Sequence, residues 1–284
     1  MLNLAVRNIK LYFRDKTSVF FSLLGVFIII GLYVLFLGEQ IQGGIEDLPG
    51  ARFLMDSWIM GGVIAVTSIT TTMGAFGQMV DDKVKKNYKD IYASPLKRYK
   101  IVGGYLISSY VVGVIMSLVT FLLAEIYIVY GGGQVLPFND ILKAIGLILI
   151  SVLASSSMIF FLVSFFKTSN SFATASTVIG TLMGFIMGIY IPIGALPSSV
   201  QGLIKAFPLS HSGTLLRQVF MRVPISETFK GIPLTEVEKF KLELGVVYKL
   251  DGGILTPGLQ IGFLLLTTVI FFILTILSVS RKKN

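Results

Sequence analysis

The sequence predicts an all-α integral membrane protein. It has six transmembrane helices, an N-terminal amphipathic surface helix, a short cytoplasmic helix and re-entrant outer helices. Three observations carry that expectation. Of 284 residues, 54% are hydrophobic and 14% are charged, where a soluble chain of this size carries about 25% charged residues. The apolar residues gather into six long runs. The basic residues fall mainly on one side of those runs.

The runs are Thr17–Leu37, Trp58–Val80, Ile101–Tyr130, Ile141–Phe166, Ser171–Ile191 and Leu259–Ser280. About 20 residues at 1.5 Å rise cross a hydrocarbon layer of about 30 Å. Lipid offers the backbone no partners, so each run is expected to be helical. The first run is too long for a signal-peptide core and lacks a small-residue cleavage site.

With the N-terminus in the cytoplasm, the inner side holds fifteen basic residues against four acids, a net of +11. The outer side holds nine basic residues against ten acids, a net of −1. Basic residues accumulate on the cytoplasmic side, so both termini are expected there. The net charge of +9 then reflects topology. No basic block is interleaved with aromatics in a polar setting, which argues against nucleic acid as a partner. The absence of cysteine excludes disulfides, thiolate metal sites and cysteine nucleophiles. His211 is the only histidine, which leaves little for a zinc site.

The chain reads as one domain, 1–284, with three appended segments. In residues 1–16, Leu4, Ile9, Leu11, Tyr12 and Phe13 alternate with Arg7, Lys10, Arg14 and Lys16. A helix there would lie on the inner membrane surface with its basic side chains at the headgroups; otherwise the stretch is a positive flank that sets topology. In residues 81–95, Val84, Tyr88, Ile91 and Tyr92 share one helical face. Asp81 and Asp82 fall at the expected helix start, and Pro95 at its end. That apolar face can lie on lipid or fill a groove on a partner protein. Residues 192–258 begin apolar but broken by proline, which suggests hairpins dipping into the outer leaflet. Thr235-x-x-Glu238 has the form of a capping box, with Gly245 as the stop of a small outer helix near Thr235–Leu244.

Few residues invite chemistry. No phosphate-binding G-x-x-x-x-G-K-[ST] loop is present. Gly131-Gly132-Gly133-Gln134 falls on the outer side and reads as a flexible turn. Ser210-His211-Ser212 lacks a neighbouring acid, and a nucleophile needs an oriented base. Glu125 is the one acid inside a predicted span. It is either an interfacial carboxylate near the outer end or a proton carrier, which would make the chain a proton-coupled secondary transporter. Thr67, Thr71, Gly74 and Gln78 make one stripe on the second span, and Ser176, Gly180, Gly184 and Gly188 another on the fifth. Both stripes suit close helix packing or a transport path.

Two stretches go further. After the second span come Asp82-Lys83, Ile91, Pro95-Leu96-Lys97-Arg98 and Gly103. After the fifth come Gly188-Ile189-Tyr190-Ile191-Pro192, Leu196-Pro197, Phe207-Pro208-Leu209 and Leu216-Arg217. With the layout of spans, they resemble the membrane subunit of type-2 ATP-binding-cassette exporters, of the daunorubicin-resistance permease type. Lys86-Asn87 stands where that family has Gly-Thr.

The resemblance implies a non-catalytic permease subunit in a bacterial inner membrane, with no cofactor, metal or catalytic residue of its own. Two copies of a separate ATPase would hold the ATP and Mg. A second permease subunit, identical or similar, would complete the path. Asp82, Lys83, Val84, Tyr88, Ile91, Tyr92 and Pro95 would form the helix that couples to the ATPase, which the N-terminal helix would also touch. The two stripes would line the substrate path. Pro192, Leu196, Pro197, Pro208 and Arg217 would be the family signature. A path of Thr, Gly, Phe and Met with little charge favours an amphiphilic or lipophilic substrate (a drug, peptide or lipid-like molecule) over an ion.

Overall fold

The computed structural model describes residues 1–33, 35, 48–87, 89, 93, 98–250 and 253–281. Six helices come first: α1 (Leu2–Arg14), α2 (Lys16–Leu32), α3 (Ala51–Val84), α4 (Arg98–Tyr130), α5 (Phe138–Val163) and α6 (Ser169–Ile186). A 3-10 turn, Ile193–Ala195, leads into four short helices: α7 (Ser198–Ala206), α8 (Ser210–Phe220), α9 (Arg222–Thr228) and α10 (Leu234–Glu243). The strands β1 (Lys249–Leu250) and β2 (Gly253–Ile254) form a small antiparallel hairpin, Lys249 opposite Ile254. Helix α11 (Pro257–Arg281) closes the chain.

Among the described residues, four helices are long and apolar enough to cross a membrane: Ala51–Val84, Tyr99–Tyr130, Phe138–Val163 and Pro257–Leu277. They match four of the six expected spans. The other two fall short of their expected limits. Helix α2 ends at Leu32, and the rest of its apolar run lies largely outside the described residues. Helix α6 ends at Ile186 instead of Ile191, because Gly188 turns the chain at φ 64°. The Gly188 amide donates to the Phe185 carbonyl and the Ile189 amide to the Gly184 carbonyl, each at 2.9 Å. That pattern closes a helix through a left-handed residue, which glycine adopts without strain.

Helix α3 is the axis of the molecule. Helices α2, α4, α5, α6 and α8 all pack on it, and every residue from Leu54 to Ile69 is buried. A helix enclosed on all sides needs no apolar stripe. Its hydroxyls are accommodated because they bond their own helix: Thr67 donates to the Val63 carbonyl at 2.8 Å, Thr71 to Thr67 at 2.6 Å and Thr72 to Ser68 at 2.6 Å.

Helix α8 is the second buried helix, wedged among α3, α5 and α11. Its polar N-terminal turn is satisfied locally. Ser210 Oγ donates to the Ile204 carbonyl at 2.7 Å, Ser212 Oγ to the Leu209 carbonyl at 2.6 Å, and His211 Nε2 lies 2.9 Å from the Lys205 carbonyl. These bonds tie α7 to α8 around Phe207-Pro208-Leu209 in a helical hairpin. The serines and the histidine serve that turn, with no nucleophile–base pair among them.

Three local expectations are corrected. Asp81 and Asp82 do not begin a helix; they lie in the last turn of α3, which runs on to Val84. Helix α10 starts at Leu234 with Pro233 before it and no side-chain cap, so Thr235 and Glu238 form no capping box. Pro233 at the cap position has no side-chain acceptor to offer the first amides of the helix. Gly245, at φ 65°, does end that helix. Finally, α1 does more than lie on a surface: Leu4, Ala5 and Tyr12 are buried against α2, α3 and α4, while Leu2 and Val6 are exposed.

Candidate transport groove

A groove of about 950 Å³ runs between α2, α3 and α6, with the C-terminal turn of α1 at one end. Its floor is α3. The side chains there are Val66, Thr70, Met73, Gly74, Gly77, Gln78, Asp81 and Lys85, a helical stripe at steps of three and four. Helix α6 supplies one wall through Phe172, Ser176, Thr177, Gly180 and Thr181, and α2 the other through Ser22, Gly25, Val26 and Ile29. Among the described residues, charged groups line it only at the end beside α1: Arg14, Asp15, Asp81 and Lys85. Lys85 Nζ lies 3.6 Å from Asp81 Oδ2, and Ser169 Oγ donates to Asp81 Oδ1 at 3.3 Å. The rest is hydroxyl, glycine and hydrocarbon, with the Met73 thioether and the Gln78 amide.

Of the residues expected to line the path, Gly74, Gln78, Ser176 and Gly180 face this groove. The other four do not. Thr67 and Thr71 are fully buried; the stripe that lines the groove is rotated from theirs and runs through Thr70 and Gly77. Gly188 makes the turn described above. Gly184 serves a single contact. A Cβ there would overlap Tyr190 Cε2, so only glycine lets the Tyr190 ring lie against α6. That ring stacks edge-on with Phe185, centroids 5.0 Å apart, and lines the groove. Thr70, Gly77, Thr177, Thr181 and Tyr190 were missed by the stripe reading. A Thr70–Gly74–Gly77–Gln78 spacing fits the same helical period, but hydroxyls that bond their own backbone look alike in sequence whichever way they face.

The inner end of α3 holds Asp82, 1% exposed. Arg7 of α1 donates to both its oxygens, at 2.7 and 3.0 Å. The carboxylate holds the Arg7 guanidinium above its ordinary pKa, chiefly by hydrogen bonding. Asp82 is therefore not presented to a partner surface, as expected of a coupling residue, but is engaged inside the chain. Lys83 is half-buried and Val84 exposed. Tyr88, Ile91, Tyr92 and Pro95 lie outside the described residues. Between them, Lys89 and Ala93 are helical.

The signature residues are spread over the outer segment. Pro192 precedes the 3-10 turn, Leu196 follows it and Pro197 precedes α7. Pro208 sits in the α7–α8 turn. Arg217 of α8 is 1% exposed. Its guanidinium lies 4.7 Å from the Trp58 ring centroid, and Nε donates to the Trp58 carbonyl at 3.3 Å. Trp58 Nε1 in turn donates to the Leu244 carbonyl at 2.7 Å. Gly62 leaves the room: a Cβ there would come within 2.8 Å of Arg217 Nη2. A cation over an indole face is held by the ring quadrupole, and here it pins α8 to α3.

Glu125 accepts the Leu136 amide on Oε2 at 3.0 Å. It ties the loop after α4 back to the C-terminal part of that helix.

No curated protein matches the chain. The sequence model of one family does match, over residues 46–277, and its description is ABC-2 family transporter protein. That stretch holds α3 through α6, the outer helices and nearly all of α11. On this match, together with its apolar helices, the chain belongs to the ABC-2 family of transporter membrane proteins, the permease subunits of ABC transporters.

Proposed function

We propose that this chain is the membrane subunit of an ATP-driven exporter. In it, a second permease subunit, identical or similar, would face the α2–α3–α6 groove. Together they would form an outward path for an amphiphilic or lipophilic substrate. Helices α2 and α6 cross the membrane with the four longer helices, which makes six crossings with both termini in a bacterial cytoplasm. ATP and Mg belong to two copies of a partner ATPase, and this chain performs no catalysis.

The observation that carries the reading is the groove. It opens between a buried axial helix and two flanking helices, among the described residues it is charged only at the end beside α1, and it lies in a chain of the ABC-2 family. The uncharged interior suits hydrocarbon and neutral polar groups, since an isolated ion desolvated there would be strongly penalised. The charged end suits a polar head. The rival reading, proton-coupled transport through Glu125, has no such support, because that carboxylate is engaged by a backbone amide away from the groove.

Residues 81–95 provide the test of ATPase coupling. The double substitution Tyr88→Ala and Tyr92→Ala leaves every span intact. Buried aromatics anchor interfaces, and losing two should cost on the order of 2 kcal/mol or more of docking energy. The expected result is normal membrane insertion, weaker copurification with the ATPase and loss of substrate-stimulated ATP hydrolysis. Unchanged copurification and unchanged activity would refute the coupling role of this segment.

A further inference from the structure

Donors from three helices converge on Asp82. Beside the two bonds from Arg7, the Tyr105 hydroxyl of α4 donates to Oδ2 at 2.7 Å. Gln78 Nε2, one turn back on α3, donates to Oδ1 at 3.1 Å. The position is unusual for an acid. Asp82 sits in the last turn of α3, where the helix dipole disfavours negative charge, and a buried carboxylate persists only when paired and hydrogen-bonded. Its local energetics argue against an anion there, so the gain lies in what it joins. The fork of an arginine meeting a carboxylate with two parallel bonds fixes orientation as well as distance.

A second, independent set of contacts ties α1 to α4 and to α2. Leu4 of α1 lies on the bare backbone of α4 at Gly104, where a Cβ would come within 2.9 Å of Leu4 Cδ2. Tyr12 donates to Ser22 Oγ of α2 at 2.9 Å. Two residues beyond Asp82 the helix ends, and Lys86 turns the chain at φ 61° into the segment assigned above to ATPase docking.

We propose that Arg7 and Asp82 are positioning residues, clasping α1 and the inner ends of α3 and α4 into one rigid arm through which motion of the docking segment that follows Val84 reaches α3, the floor of the groove. This rests on the exporter reading. Without the clasp, the last turn of α3 would be free to fray, as helix ends do, and a push on the segment would be absorbed there.

The chain has no cysteine of its own, so spin labels can be placed at will. Lys10→Cys on α1 and Lys85→Cys after α3 are both exposed. In the purified permease–ATPase complex, the label-to-label distance distribution should be narrow and identical with and without ATP. Arg7→Ala should broaden it and lower ATP-driven transport of a fluorescent alkyl amphiphile on the order of tenfold, with the ATPase still bound. Arg7→Lys keeps the charge without the fork and should recover part of both; it also serves if Arg7→Ala fails to fold.

A label distance that shifts with ATP in the otherwise unaltered chain would overturn the rigid arm. So would Arg7→Ala with a narrow distribution and full transport. If no ATPase copurifies even with the unaltered chain, the exporter reading fails and the transmission role with it. The distance measurement on the permease alone then still decides the clasp.

Discussion

Gly180 and Gly184 sit one turn apart on α6 and look equivalent in sequence, yet the structure separates them. Among the described residues, nothing beyond its own helical turn lies within 4 Å of a Cβ built at Gly180, whereas one at Gly184 would overlap the Tyr190 ring. Gly184→Ala should therefore displace that ring and destabilise the fold by about 1–3 kcal/mol, as overpacking does. Gly180→Ala should leave thermal unfolding in detergent unchanged while putting a methyl group into the groove. Equal melting temperatures for the two variants would show that the Tyr190 seat is not filled as described. The i+4 repeat was legible in the sequence; which glycine faces space and which faces a ring was not, because that depends on Gly188 folding the following residues back. Arg217 was legible as a signature residue, but its burial over Trp58 was not. Nothing in an outer-loop arginine announces that Gly61 and Gly62, far earlier in the chain, leave room for it.

At the scale of elements, hydrophobic run length located the long helices, since the demand that backbone bonds close internally leaves no alternative in lipid. Ends were read less well. Asp81-Asp82 resembled a helix start because acids favour that position; here tertiary bonds from Arg7 and Tyr105 override the dipole. The outer segment was legible as too apolar for water and too broken to span. That α8 would be buried as deeply as α3 was not, because its Ser-His-Ser start looks solvated until its bonds to the α7 carbonyls are seen. The inner-to-outer charge asymmetry makes a prediction for the elements together. A cysteine at Lys86 should react with membrane-impermeant maleimide only from the cytoplasmic side, and one at Lys241, on α10, only from outside. Both positions are exposed or half-exposed, and the reverse pattern would invert the topology.

For the whole molecule, the account joins three layers. The outer helices are pinned to the axis, α3, by Trp58 and Arg217, and to α5 by the Asp140–Arg222 pair, whose Nε–Oδ2 distance is 2.6 Å. The groove occupies the side of α3 that α2 and α6 flank. The inner end gathers α1, α3 and α4 at Asp82. Composition was sufficient to read a membrane protein, and charge supplies the orientation that the labelling above tests, while the groove needed the packing of helices distant in sequence. The most direct measurement is transport in sealed proteoliposomes holding this permease with its ATPase. A fluorescent alkyl amphiphile should move only when ATP is supplied on the ATPase side. Collapsing the proton gradient should change nothing, and Glu125→Gln should transport as well as the unaltered chain. Transport that proceeds without the ATPase, follows the proton gradient and disappears in Glu125→Gln would contradict the account.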